Sequence, residues 1–223
     1  MTASEPTYPD QMYAARLEID YPDSLNRVTT AFRIILIIPI AIVANILSAT
    51  AVSTVTVVTD SGHIVSRASS TGGGIAGALF LATLLMILFR QRYPRWWFDF
   101  ALQLNRFLAR VGAYGVLLTD RYPSTDEEQS VHLDLDYPDA RSDLNRWLPL
   151  VKWLLVIPHL IVLAFLTIGA VVVIVIAWFA ILFTGRYPRP LFDYVVGVSR
   201  WALRVSAYST LLITDRYPPF RLS

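Results

Sequence analysis

The sequence predicts an all-α membrane protein: a duplicated unit of two transmembrane helices plus a cytoplasmic interfacial amphipathic helix, four spans in total, with short cytoplasmic strands. Three observations predict it. Residues 89–123, FRQRYPRWWFDFALQLNRFLARVGAYGVLLTDRYP, return in related form as residues 183–218, FTGRYPRPLFDYVVGVSRWALRVSAYSTLLITDRYP. Long apolar runs lie ahead of both blocks. Arginines crowd one side of those runs, with Arg67 alone on the other.

Composition supports a bilayer as solvent. Of 223 residues 55% are apolar and only 16% charged, and the mean hydropathy is +0.49, too greasy for an ordinary soluble domain. A formal net charge of +2 makes no case for nucleic acid, which is not expected as a partner. The absence of cysteine removes disulfides, thiolate catalysis and Cys-based metal sites together. No metal or other cofactor is expected, because His63 and His132 stand alone and Gly72-Gly73-Gly74 lacks the Lys-Ser/Thr of a phosphate loop. The first 22 residues lack a basic stretch followed by an apolar one, so no cleavable signal peptide is expected and the N-terminus stays on its starting side.

In chain order, residues 1–13 form a polar tail and residues 14–123 the first repeat. Ala15, Leu17 and Ile19 alternate with Arg16, Glu18 and Asp20, the period of a half-buried strand. Residues 130–218 form the second repeat, where Val131, Leu133 and Leu135 alternate in the same way. Leu-Asn-Arg follows at 25–27 and 144–146, and landmarks in the next apolar run match at constant offset: Arg33 with Lys152, Pro39 with Pro158. The expected spans are 28–48, 75–90, 147–167 and 170–184, near the ~20 residues a bilayer demands or somewhat short of it. Arg33 is expected to snorkel outward, and Pro39 and Pro158 to kink their helices. In the second repeat a tight turn is expected at Thr167-Ile168-Gly169. The first carries an extracytoplasmic insert there, 49–74, with a β-hairpin around Asp60-Ser61-Gly62. Arginine distribution makes the rich side cytoplasmic, giving a multi-pass plasma-membrane protein with both termini in the cytoplasm. Two spans per repeat preserve direction, so the repeats relate by an axis along the membrane normal.

The amphipathic segments, about 95–111 and 189–206, carry the candidate binding residues. Positions i, i+7 and i+11 fall on one helical line, so Asp99, Arg106 and Arg110 share a stripe that Asp193, Arg200 and Arg204 repeat. Amid an aromatic and apolar remainder, such stripes fit interfacial helices. Arginine's planar fork suits anionic lipid headgroups or a partner's acidic segment; the plain alternative is a positive-inside anchor. The Tyr-Pro dipeptides read as chain corners at the headgroup level. His159, beside Pro158 and half-way along an expected span, is the possible intramembrane functional residue; the bland alternative is a hydrogen-bonded interior histidine.

The FTGRYPRPLFDYVVGVSRWALRVSAY block, the LLITDRYPPF terminus and the VIPHLIVLAFL helix together resemble an uncharacterised family of actinobacterial polytopic membrane proteins carried under a domain-of-unknown-function label. The resemblance covers 130–220 closely and 14–123 more loosely. It implies membrane location and a duplicated unit, and no activity or catalytic residues. Ile40, where the second copy has His159, and the insert depart from strict symmetry. No catalytic residues are assigned. The expected function is that of a non-enzymatic integral membrane accessory or scaffold protein that binds lipid headgroups or docks on another membrane protein or on itself. The alternative is a small oligomeric channel or transporter with Pro39, Asn45, Pro158 and His159 along the path; an enzyme acting on headgroups through Asp99 and Asp193 ranks third.

Overall fold

A computed structural model describes residues 13–48, 51–58, 64–71, 74–124 and 129–222, so the tail 1–12 and the turn Asp60-Ser61-Gly62 lie outside the described residues. The alternating segments form strands β1 (Ala15–Ile19) and β4 (Val131–Leu135). They pair antiparallel with Leu17 opposite Leu133 at the centre of the register. Alternation gives this small sheet one buried side, Ala15, Leu17, Val131, Leu133 and Leu135, while Glu18, His132 and Asp134 face out.

The first apolar run is three helical pieces, α1 (Arg27–Ala31), α2 (Arg33–Leu36) and α3 (Ile38–Ser48). An antiparallel hairpin follows, β2 (Ala51–Val58) and β3 (Ile64–Thr71), and then α4 (Gly74–Arg90). The second apolar run is α6 (Pro149–Leu155) and α7 (Ile157–Thr184). Pro39 and Pro158 are each the second residue of a helix, so the expected kinks are breaks two residues earlier, at Ile37 and Val156. Proline there removes a donor that the first turn does not use.

The expected turn at Thr167-Ile168-Gly169 is absent, because α7 is one helix of 28 residues. Gly169 is a packing notch. A Cβ on it would stand 2.7 Å from the Tyr194 hydroxyl, which donates to the Leu166 carbonyl at 3.1 Å. The 11 residues of α3 and the 17 of α4 together equal the 28 of α7, so the β2–β3 hairpin interrupts the first run at the point where the second continues unbroken. Among the described residues one helix, α7, is long and apolar enough to cross a membrane, and residues 77–90 make a shorter apolar segment. Four spans are therefore not found.

The amphipathic segments are α5 (Arg95–Gly115) and α8 (Arg189–Ser209). The apolar side of α8 is covered by protein: Phe192, Val195 and Val196 join the main core, and Val198, Trp201 and Val205 pack with Val156 and Leu163 of the α6–α7 run. On α5, Phe98, Phe107 and Tyr114 are buried while Trp96 and Phe100 stay exposed. Strand β1 rests on α8 and β4 on α5. Past these helices Leu117 and Leu212 adopt left-handed backbone, φ 69° and 56°. That costs about 1–2 kcal/mol for a residue other than glycine, which burial of both leucine side chains, worth about 1.5–3 kcal/mol, offsets.

Because Gly169 admits the Tyr194 hydroxyl, Gly169→Ala should destabilise by about 1–3 kcal/mol. The added variant Tyr194→Phe should recover part of the loss. Thermal unfolding of both proteins in mild detergent checks this; a G169A midpoint equal to wild type rejects it.

Candidate functional site

Two basic residues of the apolar runs are buried: Arg33, contrary to its expected snorkelling, is 2% exposed, and the matched Lys152 is 1% exposed. An isolated charge there would be strongly unfavourable, and both are compensated in the same manner. The Arg33 guanidinium donates to the Thr119 carbonyl at 2.8 Å, pairs with Asp120 and lies 4.0 Å over the Tyr114 ring. The Lys152 ammonium donates to the Thr214 carbonyl at 2.7 Å, pairs with Asp215 at 2.8 Å and lies 4.8 Å over the Tyr208 ring. Each carboxylate also accepts a backbone N–H at 2.5 Å, from Asn26 and from Asn145 respectively. The side chains of Asn26 and Asn145 in turn accept from Val28 N–H and Trp147 N–H, both at 2.9 Å. Asp120 and Asp215 are the aspartates of the two Thr-Asp-Arg-Tyr-Pro motifs. Sequence reasoning missed them as partners, although the motif recurs at the matched positions that also align Arg33 with Lys152.

The predicted stripes do not assemble as such. Arg106 donates through Nε to the Leu133 carbonyl at 2.8 Å and pairs with Asp134 at 2.6 Å. Arg200 donates through Nε to the Leu17 carbonyl at 2.8 Å. Arg110 donates to the Ser124 carbonyl at 2.7 Å and Arg204 to the Arg221 carbonyl at 2.8 Å. These guanidiniums hold each strand to a helix of the other half, and hold each segment that follows a Tyr-Pro. Asp99 is exposed, away from Arg106 and Arg110, and Asp193 pairs with Arg189 at 3.8 Å with both side chains exposed.

His159 is fully buried in a box of aromatic rings. Its Nδ1 accepts from Trp201 Nε1–H at 3.1 Å, Phe220 stacks on it at 3.9 Å between ring centroids, and Tyr217 is 4.7 Å away. An accepting Nδ1 puts the ring proton on Nε2, which has no hydrogen-bond partner. The Tyr-Pro tyrosines clamp distant segments. Tyr21 donates to the Tyr187 carbonyl at 2.5 Å, Tyr137 to the Tyr93 carbonyl, and Tyr93 to the Leu211 carbonyl at 3.0 Å. The Tyr187 hydroxyl is buried without a partner, and burial pushes it from 10.0 up to about 12.

Three of the clefts between these elements are lined by a Tyr-Pro corner. Two are polar and similar, about 510 and 530 Å³, each bounded by an Asp-Tyr-Pro (136–138, 20–22) and a Thr-Asp-Arg (214–216, 119–121). The third, about 570 Å³, is basic: Arg90, Arg92 and Arg141 line it beside Tyr93 and Tyr137. All three arginines are exposed. Its one lining acid, Asp139, accepts the Arg141 backbone N–H at 3.0 Å. At its edge Gln91, φ 46°, accepts from Arg146 at 3.1 Å. At the matching corner of the other half Gly185, φ 74°, takes the place of Gln91. There the Leu25 N–H donates to the Gly185 carbonyl at 2.9 Å and the Arg27 side chain lies against it, filling the space. Among the described residues no group of three His, Asp or Glu is placed to hold a metal ion.

Removing one member of a buried ion pair costs about 3–5 kcal/mol, so Asp215→Asn should lower stability by that order while keeping an acceptor for Asn145. The double variant Lys152→Met/Asp215→Asn should lose less than Asp215→Asn alone, as measured by thermal unfolding in detergent. Between about pH 10 and 12 the unfolded chain loses the Tyr187 proton and the native protein retains it, so this part of the stability is complete below pH 10 and falls as pH rises. Tyr187→Phe should flatten that alkaline loss and, by removing an unpartnered hydroxyl, raise stability at neutral pH by about 1 kcal/mol.

No curated protein and no solved structure matches the chain. Residues 147–221, which hold Lys152, His159, Asp215 and all of α6, α7 and α8, match a family described as Domain of unknown function (DUF4389).

Proposed function

We propose that this chain is a non-enzymatic membrane scaffold that binds anionic lipid headgroups, built from a duplicated unit whose polar cap faces the cytoplasm. One observation carries it: the distribution of exposed large apolar side chains. Apart from Tyr122, Tyr137, Tyr217 and Phe220 they fall on α1–α4, the first turns of α5, and the stretch from Trp147 through α7. A water-soluble monomer rarely leaves so much apolar surface uncovered. Helices α1–α4 and the stretch from Trp147 through α7 contain no Asp or Glu, and the first turns of α5 hold one, the exposed Asp99, whereas the strands and the Thr-Asp-Arg-Tyr-Pro turns carry the paired carboxylates Asp120, Asp134 and Asp215. Exposed Trp96, Trp147 and Trp153 suit the water–lipid boundary.

Headgroup recognition moves from the Asp-Arg-Arg stripes to the Arg90, Arg92 and Arg141 cleft, because Arg106, Arg110, Arg200 and Arg204 are committed to carbonyls of the same chain. The cleft adjoins the exposed Leu85 and Phe89 of α4, at the depth where phosphates meet hydrocarbon. A channel through His159 gains no support from a histidine closed in by Trp201, Tyr217 and Phe220.

Two measurements test the proposal. The protein should remain in membranes after an alkaline carbonate wash, and release into the wash rejects a lipid-embedded surface. Affinity for phosphatidylglycerol vesicles should fall roughly tenfold to a hundredfold in R90Q/R92Q/R141Q, at about 1 kcal/mol per arginine near the surface, with phosphatidylcholine vesicles unaffected. Equal phosphatidylglycerol affinity in wild type and variant rejects the cleft.

A further inference from the structure

The geometry points to a chain seated in a single leaflet, with α7 lying along the membrane plane and not through it; this rests on the membrane reading above. By length alone α7 could cross, since 28 residues extend about 42 Å against a hydrocarbon core of about 30 Å. What lies beside it decides otherwise.

Helix α8 runs antiparallel along the α6–α7 run. Three contacts fix this: the Lys152 ammonium 4.8 Å from the Tyr208 ring, His159 Nδ1 accepting from Trp201 at 3.1 Å, and the Leu166 carbonyl accepting from Tyr194 at 3.1 Å. Next to Tyr194 is Asp193, paired with Arg189 at 3.8 Å, the side chains 62% and 66% exposed. This exposed ion pair belongs to the helix turns that meet α7 at Leu166 and Gly169, near the α7 midpoint. Were α7 to span the bilayer, its midpoint would lie at the bilayer centre and carry the uncovered charges toward hydrocarbon, where they are strongly unfavourable.

The far end of α7 is held too. Trp178 Nε1–H donates to the Thr30 carbonyl at 3.1 Å, and the Gly185 carbonyl accepts from the Leu25 N–H at 2.9 Å. Leu25 immediately precedes Asn26, whose N–H reaches Asp120. Polar, cap-anchored groups thus flank the run at Lys152, at its middle and at Gly185. The buried residues of α7, His159, Leu163, Ala170, Ala177 and Ile181, form one stripe along the whole helix, at spacings of four and seven that keep to one face. A helix leaving the cap to cross a bilayer would bury one end against it. The opposite face, Leu160, Phe165, Ile168, Val172, Phe179 and Phe183, is exposed and apolar throughout. That is the disposition of a helix resting in an interface with its apolar face in acyl chains.

The chain has no cysteine, so single-cysteine variants L160C, I168C and F179C, at exposed positions near the start, middle and end of α7, can carry an environment-sensitive fluorophore. The probe is quenching by lipids bearing a nitroxide at acyl position 5 or 12, in phosphatidylcholine vesicles containing phosphatidylglycerol. All three sites should be quenched more by the shallow nitroxide, with shallow-to-deep ratios agreeing within about twofold. Deep quenching at residue 168 with shallow quenching at 160 and 179 overturns the inference. So does labelling of 160 and 179 from opposite sides by an impermeant thiol reagent. No quenching at any site overturns the membrane reading, and this inference with it.

Discussion

The structure depends on two carboxylates, Asp120 and Asp215. Each neutralises a cation buried at the start of an apolar run and accepts the backbone N–H of an asparagine that caps or precedes that run. Neither Arg33 nor Lys152 could remain charged at 1–2% exposure without such a partner. A buried ion pair is a poor source of net stability, but it is selective, because any register that separates the partners leaves a charge uncompensated. The apolar runs can therefore dock only where the Thr-Asp-Arg-Tyr-Pro turns are, and that docking sets where the runs' exposed apolar side chains stand relative to the polar cap.

From this anchoring the rest of the packing follows. Helices α5 and α8 must lie beside the runs they precede or follow, and their arginines then point at the strands. Arg106 reaches Leu133 on β4, and Arg200 reaches Leu17 on β1. Tyr137 reaches back to Tyr93, and Tyr21 across to Tyr187. Each half thus supplies the strand that the other half's helix receives, so neither half completes its own core. Leu17 and Leu133, facing one another in the sheet, mark the point about which these exchanged contacts balance.

Much of this was legible in the sequence, and the misses share one cause. Period-two alternation located β1 and β4, because burial of one sheet face imposes it directly. The matched Arg33 and Lys152 were visible, yet the sequence expectation sent Arg33 outward, since an apolar run of that length implies lipid on all sides. Gly169 looked like a turn, whereas only the approach of the Tyr194 hydroxyl explains the missing side chain. The basic stripes of α5 and α8 looked like lipid anchors, but amphipathic periodicity tells which face is apolar and not what covers it. On α8 it is protein. Contacts between residues far apart in the chain leave no periodic trace, and those contacts decide the candidate site.

The two halves match in their anchors and differ at their rims, and the difference tells where recognition can reside. Pro22 and Leu25 are separated by two residues and Pro138 and Leu144 by five, so the second connection stands away from the helix end it faces and leaves the basic cleft open. At that corner Gln91 adopts left-handed backbone where the other half uses glycine, a conformation that costs about 1–2 kcal/mol. The hydrogen bond from Arg146 offsets part of it. Glycine at the other corner lets Leu25 and Arg27 close over the same space. Arg90, Arg92 and Arg141 thus line an open cleft at one corner, while the space at the matching corner is occupied by Leu25 and Arg27. On the proposed headgroup reading, this difference between the corners orients the molecule in the membrane plane as well as against it.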